Sequence, residues 1–484
     1  MKRHKKKLVP VVLFAIALGV TALSFMTTDE QYVMAPAVAC TVLMIWLWMV
    51  MWDRDQKIPF FDVGIFCALA TLVYTVYPLL NYWADGMQFG FLSDSRLLYL
   101  NISPAELGFF HLRHVLYLFS FVVAYAFFRG KGTMGVGNVI IPSRSSWYTI
   151  VIFFLLLTGF FVLMYQETGV NYNSSYEPEI FAKRVTSYEN LPLLLLQISS
   201  KLWGILFIFK LALLFIVVNR CKQRKWFLIL LVWVGFEIIL TVYIKGPRTG
   251  LILFLMAIAL IYHRTIKPLS IKFLFTSGVM LFLVFIFLGI YRAYFDIAYL
   301  REDLAYSDIS FFSYGNEFQS LLGTAYDVFR KKEAGVYFPW YLYLNDFIAI
   351  FPPQQLMPFE KVRASEWYLQ EIGLSGTGQG YMWGVISQSI IGFDWIELAL
   401  RGTILGYILA RYHRWYLKHQ SGFLETLLYV FFCLKIYYTF RDTTFSFLAN
   451  IVWEVIPFYI LLRIGSALLS RVTADKNLAM SSRV

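Results

Sequence analysis

Apolar runs of about the length needed to cross a bilayer recur from one end of this 484-residue chain to the other, and they constrain it more than any other feature. They lie near residues 8–26, 33–52, 60–82, 110–128, 147–166, 194–218, 226–244, 249–262, 271–291, 393–410, 422–440 and 446–470. At about 20 apolar residues per crossing, they predict an all-α polytopic membrane protein of about twelve helices. The run at 249–262 is short and reads as a tilted or paired segment. Composition excludes the alternatives. Hydrophobic residues make up 59% and charged residues only 15%; a soluble domain of this length has too little interior for so much apolar surface, and a disordered chain has far less of it.

Lys and Arg exceed Asp and Glu, 42 against 30, for a net charge of +12. The bases sit in short loops between apolar runs, which is the positive-inside pattern rather than a nucleic-acid surface. Placing the N-terminal Lys/Arg cluster in the cytoplasm makes basic segments of Arg129–Arg144, Asn219–Lys225, His263–Ser270 and Arg411–His419 cytoplasmic. Both termini then fall inside, and the first run reads as a retained signal anchor. The four cysteines, Cys40, Cys67, Cys221 and Cys433, avoid the outer loops, so no disulfide framework or CxxC site is expected.

The outer segment Arg292–Trp383 stands apart, with eleven acids against seven bases and many Tyr, Trp, Phe and Pro residues. It suits an ordered lid with short amphipathic helices, because Phe311, Phe312, Phe318, Leu321, Leu322, Tyr326 and Phe329 repeat at helical spacing. The expected organisation is therefore helices 1–9 over residues 1–291, the outer loop over 292–383, C-terminal helices over 384–470 and a cytoplasmic tail over 471–484. No internal repeat marks an inverted-repeat transporter.

Candidate chemistry concentrates in the outer segments. Lys245-Gly-Pro-Arg248 turns into a helix N-terminus, suited to a pyrophosphate contact or to an arginine snorkelling toward headgroups. Arg292 stands where a long apolar run leaves the membrane, and Arg301 follows beside two acids. Glu317 is an isolated carboxylate among Phe, Tyr and Leu, either a poised general base or a solvated acid on a polar face. Glu366 is a second candidate base, in a segment that also holds Arg363. Gly376, Gly378 and Gly380 with Tyr381 mark a backbone that approaches a ligand closely, or a hinge. Arg441 lies in the last outer turn, beside Asp442. His111 and His114 at i,i+3 spacing read as interfacial residues rather than metal ligands, since no third ligand is near, and no metal or cofactor is expected.

In the order Lys245-Gly-Pro-Arg248, Arg292, Asn316-Glu317-Phe, the Pro-rich 351–358 stretch, Gly376-x-Gly378-x-Gly380-Tyr381 and Arg441, the chain resembles the Wzy-type polymerases of O-antigen and enterobacterial common antigen. The resemblance covers residues of about 240 to 450; before that only hydropathy is similar. It implies a GT-C-like fold in a bacterial inner membrane. The implied activity transfers a growing glycan from polyprenyl pyrophosphate to a new lipid-linked repeat unit, outside the cytoplasm and without metal. By that resemblance Arg248, Arg292 and Arg441 would stabilise the pyrophosphate leaving group, with Glu317 or Glu366 accepting the attacking hydroxyl's proton. Lys245, Arg301, Arg363, Gly376, Gly378, Gly380 and Tyr381 would bind substrate. Implied partners are the lipid-linked oligosaccharide, membrane lipids, and a chain-length regulator and flippase of the same pathway, with no nucleic acid. An O-antigen ligase or another polyprenyl-linked glycosyltransferase is the alternative within the class. A lipid-linked oligosaccharide flippase is the alternative outside it; that activity needs a charged path through the membrane, whereas mid-helix charges are few: Glu237 and Lys435 stand out, with Lys201 and Lys210 also within a run.

Overall fold

A computed structural model describes residues 33–55, 61–89, 95–132, 139–140, 142–168, 193–243, 248–270, 316–348, 350–351, 362–373 and 382–481, with scattered positions at 16, 19 and between 272 and 287. The described residues are mostly helical, with no strand among them. The first helices are α1 (Ala35–Asp55), α2 (Val63–Ala84), the short α3 (Ser95–Tyr99), α4 (Pro104–Phe128), α5 (Arg144–Thr168), α6 (Leu193–Asn219), α7 (Arg224–Tyr243) and α8 (Arg248–Thr265). After them come α9 (Asn316–Glu333), α10 (Ala364–Glu371), α11 (Gly384–Ile391), α12 (Trp395–His419), α13 (Phe423–Lys435), α14 (Tyr438–Arg441), α15 (Phe447–Asn450) and α16 (Ile456–Ser481).

Seven described helical stretches are long and apolar enough to cross a membrane, in place of the twelve expected from the runs. The run at 8–26 falls almost wholly outside the described residues, and the run at 271–291 is described only at scattered positions. The run at 249–262 forms a short apolar helix, Gly250–Thr265, as its length predicts. The run at 393–410 belongs to α12, which carries Glu397, Arg401, Arg411 and Arg414 along its length. Large apolar side chains face outward on the perimeter helices: Leu155 and Leu156 on α5, Val232 and Ile239 on α7, Ile464 and Leu468 on α16 are all more than half exposed. Such a belt of bare hydrocarbon suits contact with lipid.

Helices α1, α2, α4 and α12 pack as one group and α5, α6, α8 and α16 as another, with α13 touching members of both. The tightest seam is between α4 and α12, and small residues create it. Gly402, Gly406 and Ala410 recur every fourth residue along one face of α12. A Cβ at Gly402 would lie 2.5 Å from the Tyr117 carbonyl oxygen, and one at Gly406 2.5 Å from that of Phe121. The two backbones therefore approach as closely as small-residue membrane helix pairs allow.

At the start of α2 a buried ionic knot ties four helices. Asp62 caps α2 through Gly64 N–H at 2.9 Å, accepts from the Tyr125 hydroxyl, and accepts from Arg129 Nε at 2.7 Å. His413 Nε2 stands 3.5 Å from the same carboxylate, and its Nδ1 lies 2.7 Å from Tyr429 Oη, which accepts from Val63 N–H at 3.0 Å. All five side chains are buried. A buried charge is tolerated only when paired and hydrogen-bonded in this way.

The other end of the bundle, here the loop end, carries the amphipathic helix that the aromatic spacing predicts. The face of α9 bearing Phe318, Leu321, Leu322, Ala325 and Tyr326 is buried against α2 and α11. Arg96 of α3 holds it from one side, donating to Thr324 Oγ1 (2.9 Å) and the Ser320 carbonyl (3.1 Å), and to Tyr368 Oη of α10 (2.8 Å). Tyr368 in turn donates to Asp327 at 2.7 Å. Arg330 pairs with Glu106 of α4 at 2.7 Å, and Lys332 donates to the carbonyls of Ile390 and Gly392. Phe311 and Phe312 lie outside the described residues.

Candidate functional site

Residues from three stretches far apart in the chain converge at the loop end. Three bonds bring them there. Asp346 Oδ1 accepts from Phe445 N–H (3.2 Å), Asn345 Oδ1 accepts from Ala364 N–H at the start of α10 (3.0 Å), and Trp453 Nε1 donates to the Ile350 carbonyl (3.0 Å). The 345–351 stretch is thus stitched both to α10 and to the turn after α14. Arg363, which precedes α10, and Arg441, which ends α14, are the two cations acting on Asp442 in that turn.

Asp442 has an unusual setting. It is solvent-exposed, in the turn between α14 and α15. Desolvation pushes its carboxyl above the usual carboxylate range; Arg363 and Arg441 oppose that rise and nearby Asp346 adds to it. Asp346 itself is engaged, with Oδ2 2.6 Å from the Arg401 guanidinium, whose Nε meets Glu397 Oε1 at 2.7 Å. Arg363 is exposed and Arg441 half-buried. Both guanidinium groups act on the same carboxylate, so charges from two distant stretches gather at one turn of the loop end.

Glu366 is exposed, and its Oε2 accepts from the Arg363 backbone N–H at 2.9 Å, closing the first turn of α10. The carboxylate thus helps to fix the backbone that carries Arg363. Glu317 belongs to the first turn of α9 and Arg248 begins α8, but their side chains lie outside the described residues. Lys245, Arg292, Arg301, Gly376, Gly378, Gly380 and Tyr381 lie outside them altogether. The described structure therefore brings together Arg363, Glu366 and Arg441.

A layer of aromatic and neutral polar groups lies in the same loop-end region of the bundle, and the sequence reading passed over most of it. Tyr74 contacts both Phe318 (ring centroids 5.1 Å) and Phe440 (5.7 Å). Phe440 also meets His114 (5.5 Å) and Tyr117 (5.8 Å), and His114 stacks on His111 at 4.8 Å. His111 Nδ1 is 3.0 Å from the Leu107 carbonyl, which fixes a proton there and leaves Nε2 as an acceptor. That Nε2 and both amide atoms of Asn81 and Gln319 have no hydrogen-bond partner among the described residues, and all three side chains are buried, whereas His114 bonds the His111 backbone and Tyr117 pairs with Thr444. A buried polar atom left so costs about 1–3 kcal/mol. The sequence signal was present: His111, His114 and Tyr117 are polar groups at i, i+3 and i+6 inside an apolar run.

The charges inside the apolar helices are partnered. Lys210 meets Glu237 at 2.5 Å, and Lys435 lies 3.8 Å from Glu454, on which Lys201 also acts. Glu454 occupies a single π-helical turn, Ile451–Val455, and its carboxylate fills the space that a side chain at Gly204 would need. Among the described residues no three His, Cys, Asp or Glu side chains converge as metal ligands. No family model, curated protein or solved structure matches the chain.

Proposed function

We propose that this protein polymerises lipid-linked oligosaccharide repeat units at the loop end of its helix bundle, transferring the growing glycan from polyprenyl pyrophosphate to an incoming lipid-linked unit. The observation that carries the reading is the convergence of Arg363 and Arg441 on Asp442, beside an aromatic layer and at the end of an apolar bundle. The reading places the reaction on the extracytoplasmic face of a bacterial inner membrane, the side that the distribution of basic loops favours.

The chemistry asks for three things. Negative charge grows on the departing pyrophosphate as the glycosidic bond breaks, and paired guanidinium groups fixed in advance stabilise it there. The prenyl chains need an apolar flank, which the exposed faces of the perimeter helices supply. The attacking hydroxyl needs a proton acceptor; Glu317, in the first turn of α9, is the candidate base, and Glu366 the second.

The test is substitution of Arg363 and Arg441 by alanine in the producing cell, with protein level followed by an affinity tag. Loss of polymer with retention of a single attached repeat unit supports polymerisation. Loss of all repeat-bearing product points to ligation or flipping instead.

A further inference from the structure

We propose that the stretch 336–351 is an interfacial membrane anchor, whose outward rings enter the boundary between lipid headgroups and acyl chains at the loop end. This seating is independent of the reaction that the charges at Asp442 serve.

The stretch has a composition unlike that of an outer loop. Of its sixteen residues seven are aromatic and one, Asp346, is charged. Its local structure turns that composition inside out. Trp340–Leu344 is a 3-10 turn and Asn345–Ile348 a short helix. Leu342, Asn345, Asp346 and Ile348 are buried, while Tyr337, Trp340, Tyr343, Leu344, Phe347 and Phe351 are 39% to 80% exposed. The carboxylate and the amide thus face the protein and the large rings face away from it. The preceding helix, α9, does the reverse, burying Phe318, Leu321 and Tyr326 and leaving Arg330 and Glu333 at the surface. Water favours the arrangement of α9; an apolar medium on the outward side favours that of 336–351.

The backbone suits the same place. An irregular stretch leaves carbonyls without helical partners, and lipid offers them no donor. Here the bundle supplies donors. Gln388 Nε2 donates to the Leu342 carbonyl at 2.9 Å and Trp453 Nε1 to the Ile350 carbonyl at 3.0 Å. Asp346 is held 2.6 Å from the Arg401 guanidinium.

These anchor points also fix the neighbours. Arg401 lies on α12, beside an exposed stripe of Ile396, Leu400 and Ile404. Trp453 lies just before α16, whose Ile456, Ile460 and Ile464 make a second exposed stripe. Each stripe repeats every fourth residue, as one face of a helix does. The outward rings therefore join the apolar perimeter at both ends. Tyr and Trp, prominent among them, settle at headgroup level, with the ring body in hydrocarbon and the polar tip in water. A platform for sugars would instead set hydrogen-bonding side chains among the rings, and Asn345 and Asp346, the amide and the carboxylate of this stretch, are turned inward. Asp346 also accepts from Phe445 N–H, in the turn that carries Asp442. The anchor thereby fixes that turn at the membrane surface, where a lipid-borne phosphate lies.

The test uses the full chain in nanodiscs of phosphatidylethanolamine and phosphatidylglycerol. Cys221→Ser is the background, because Cys40, Cys67 and Cys433 are buried. Nitroxide labels are attached at Tyr343→Cys and Phe347→Cys. Val232→Cys, on the exposed face of α7, is the lipid reference, and Glu333→Cys, at the exposed end of α9, is the water reference. Power-saturation electron paramagnetic resonance reads collisions with oxygen, which concentrates among acyl chains, and with a polar nickel chelate, which stays in water. The oxygen-to-nickel ratio at Tyr343 and Phe347 is expected to exceed that at Glu333 by about threefold or more, and to approach that at Val232. A ratio at either position as low as that at Glu333 places the face in water and overturns the anchor. Protection from both reagents overturns it too, since protein, such as a second copy of the chain, then covers the rings. The readout involves no reaction, so it is blind to whether the protein polymerises anything.

Discussion

Arg113 of α4 grips Asp394 with two parallel bonds, Nε to Oδ1 at 2.9 Å and a terminal nitrogen to Oδ2 at 2.7 Å. Asp394 precedes α12 with φ of 49°, a left-handed conformation that a non-glycine residue adopts at a cost. The guanidinium, 2% exposed, is also walled by rings: Phe329 and Trp395 lie 4.7 and 4.6 Å from it. One side chain thus holds the start of α12, the top of α4 and the end of α9 together. Arg113→Ala should destabilise the protein by about 3–5 kcal/mol, since it leaves a carboxylate half-enclosed. Arg113→Lys, which loses the fork, should fall between. Thermal unfolding in one detergent reads both; an unchanged melting temperature for the alanine variant would remove this account of the joint.

The α4–α12 seam makes a prediction of opposite kind, because it concerns adding atoms. Gly402→Ala and Gly406→Ala each drive a methyl against a backbone carbonyl 2.5 Å away, which cannot swing aside. Each should cost about 1–3 kcal/mol despite alanine's better helix propensity. Gly235→Ala, where a Cβ meets nothing within 4 Å, is the control and should be neutral or stabilising.

Much of this fold was legible in the chain, and the illegible part has a common cause. The apolar runs gave the helices, and the spacing of Phe318, Leu321, Leu322 and Tyr326 gave the buried face of α9, because both signals are local. Arg363 and Arg441 were each visible as charges where charge is scarce, but nothing local says that they meet. Arg113 and Asp394 are 281 positions apart, and nothing local to either one pairs them. Gly402 and Gly406 carry no message until the helix they face is known. His111 and His114 read as interfacial residues and Tyr117 carried no signal of its own; only the packing of Phe440 against His114 and Tyr117 reveals how fully this part of α4 is enclosed.

The knot around Asp62 is expected to be structural. Asp62→Asn leaves the Arg129 guanidinium buried beside a neutral amide and should lower stability by about 3–5 kcal/mol. Polymer per folded molecule should be unchanged, since the charges that act on Asp442 are Arg363, Arg441 and Asp346, none of them a member of the knot. A variant that folds to normal levels and yet makes no polymer would give Asp62 a role in the reaction.

Asp442 predicts a pH dependence of definite sign. Its carboxyl titrates above the usual value of 3.8 in the folded protein. Between the unfolded and folded pKa values the folded state binds more protons than the unfolded chain, so stability falls as pH rises through that window. Asp442→Asn should flatten this slope and melt higher than wild type near neutrality. Melting curves taken over about pH 4 to 7 test it; identical slopes for the two proteins would mean that the carboxyl is not held up by its surroundings.

The most direct measurement is the length of the surface polysaccharide in cells lacking the chromosomal gene and complemented with wild type, Arg363→Ala or Arg441→Ala at matched protein levels. The account predicts a full ladder from wild type and a collapse to one attached repeat unit from either variant. A full ladder from both variants, or a deletion strain that lacks even the single repeat unit, would contradict it.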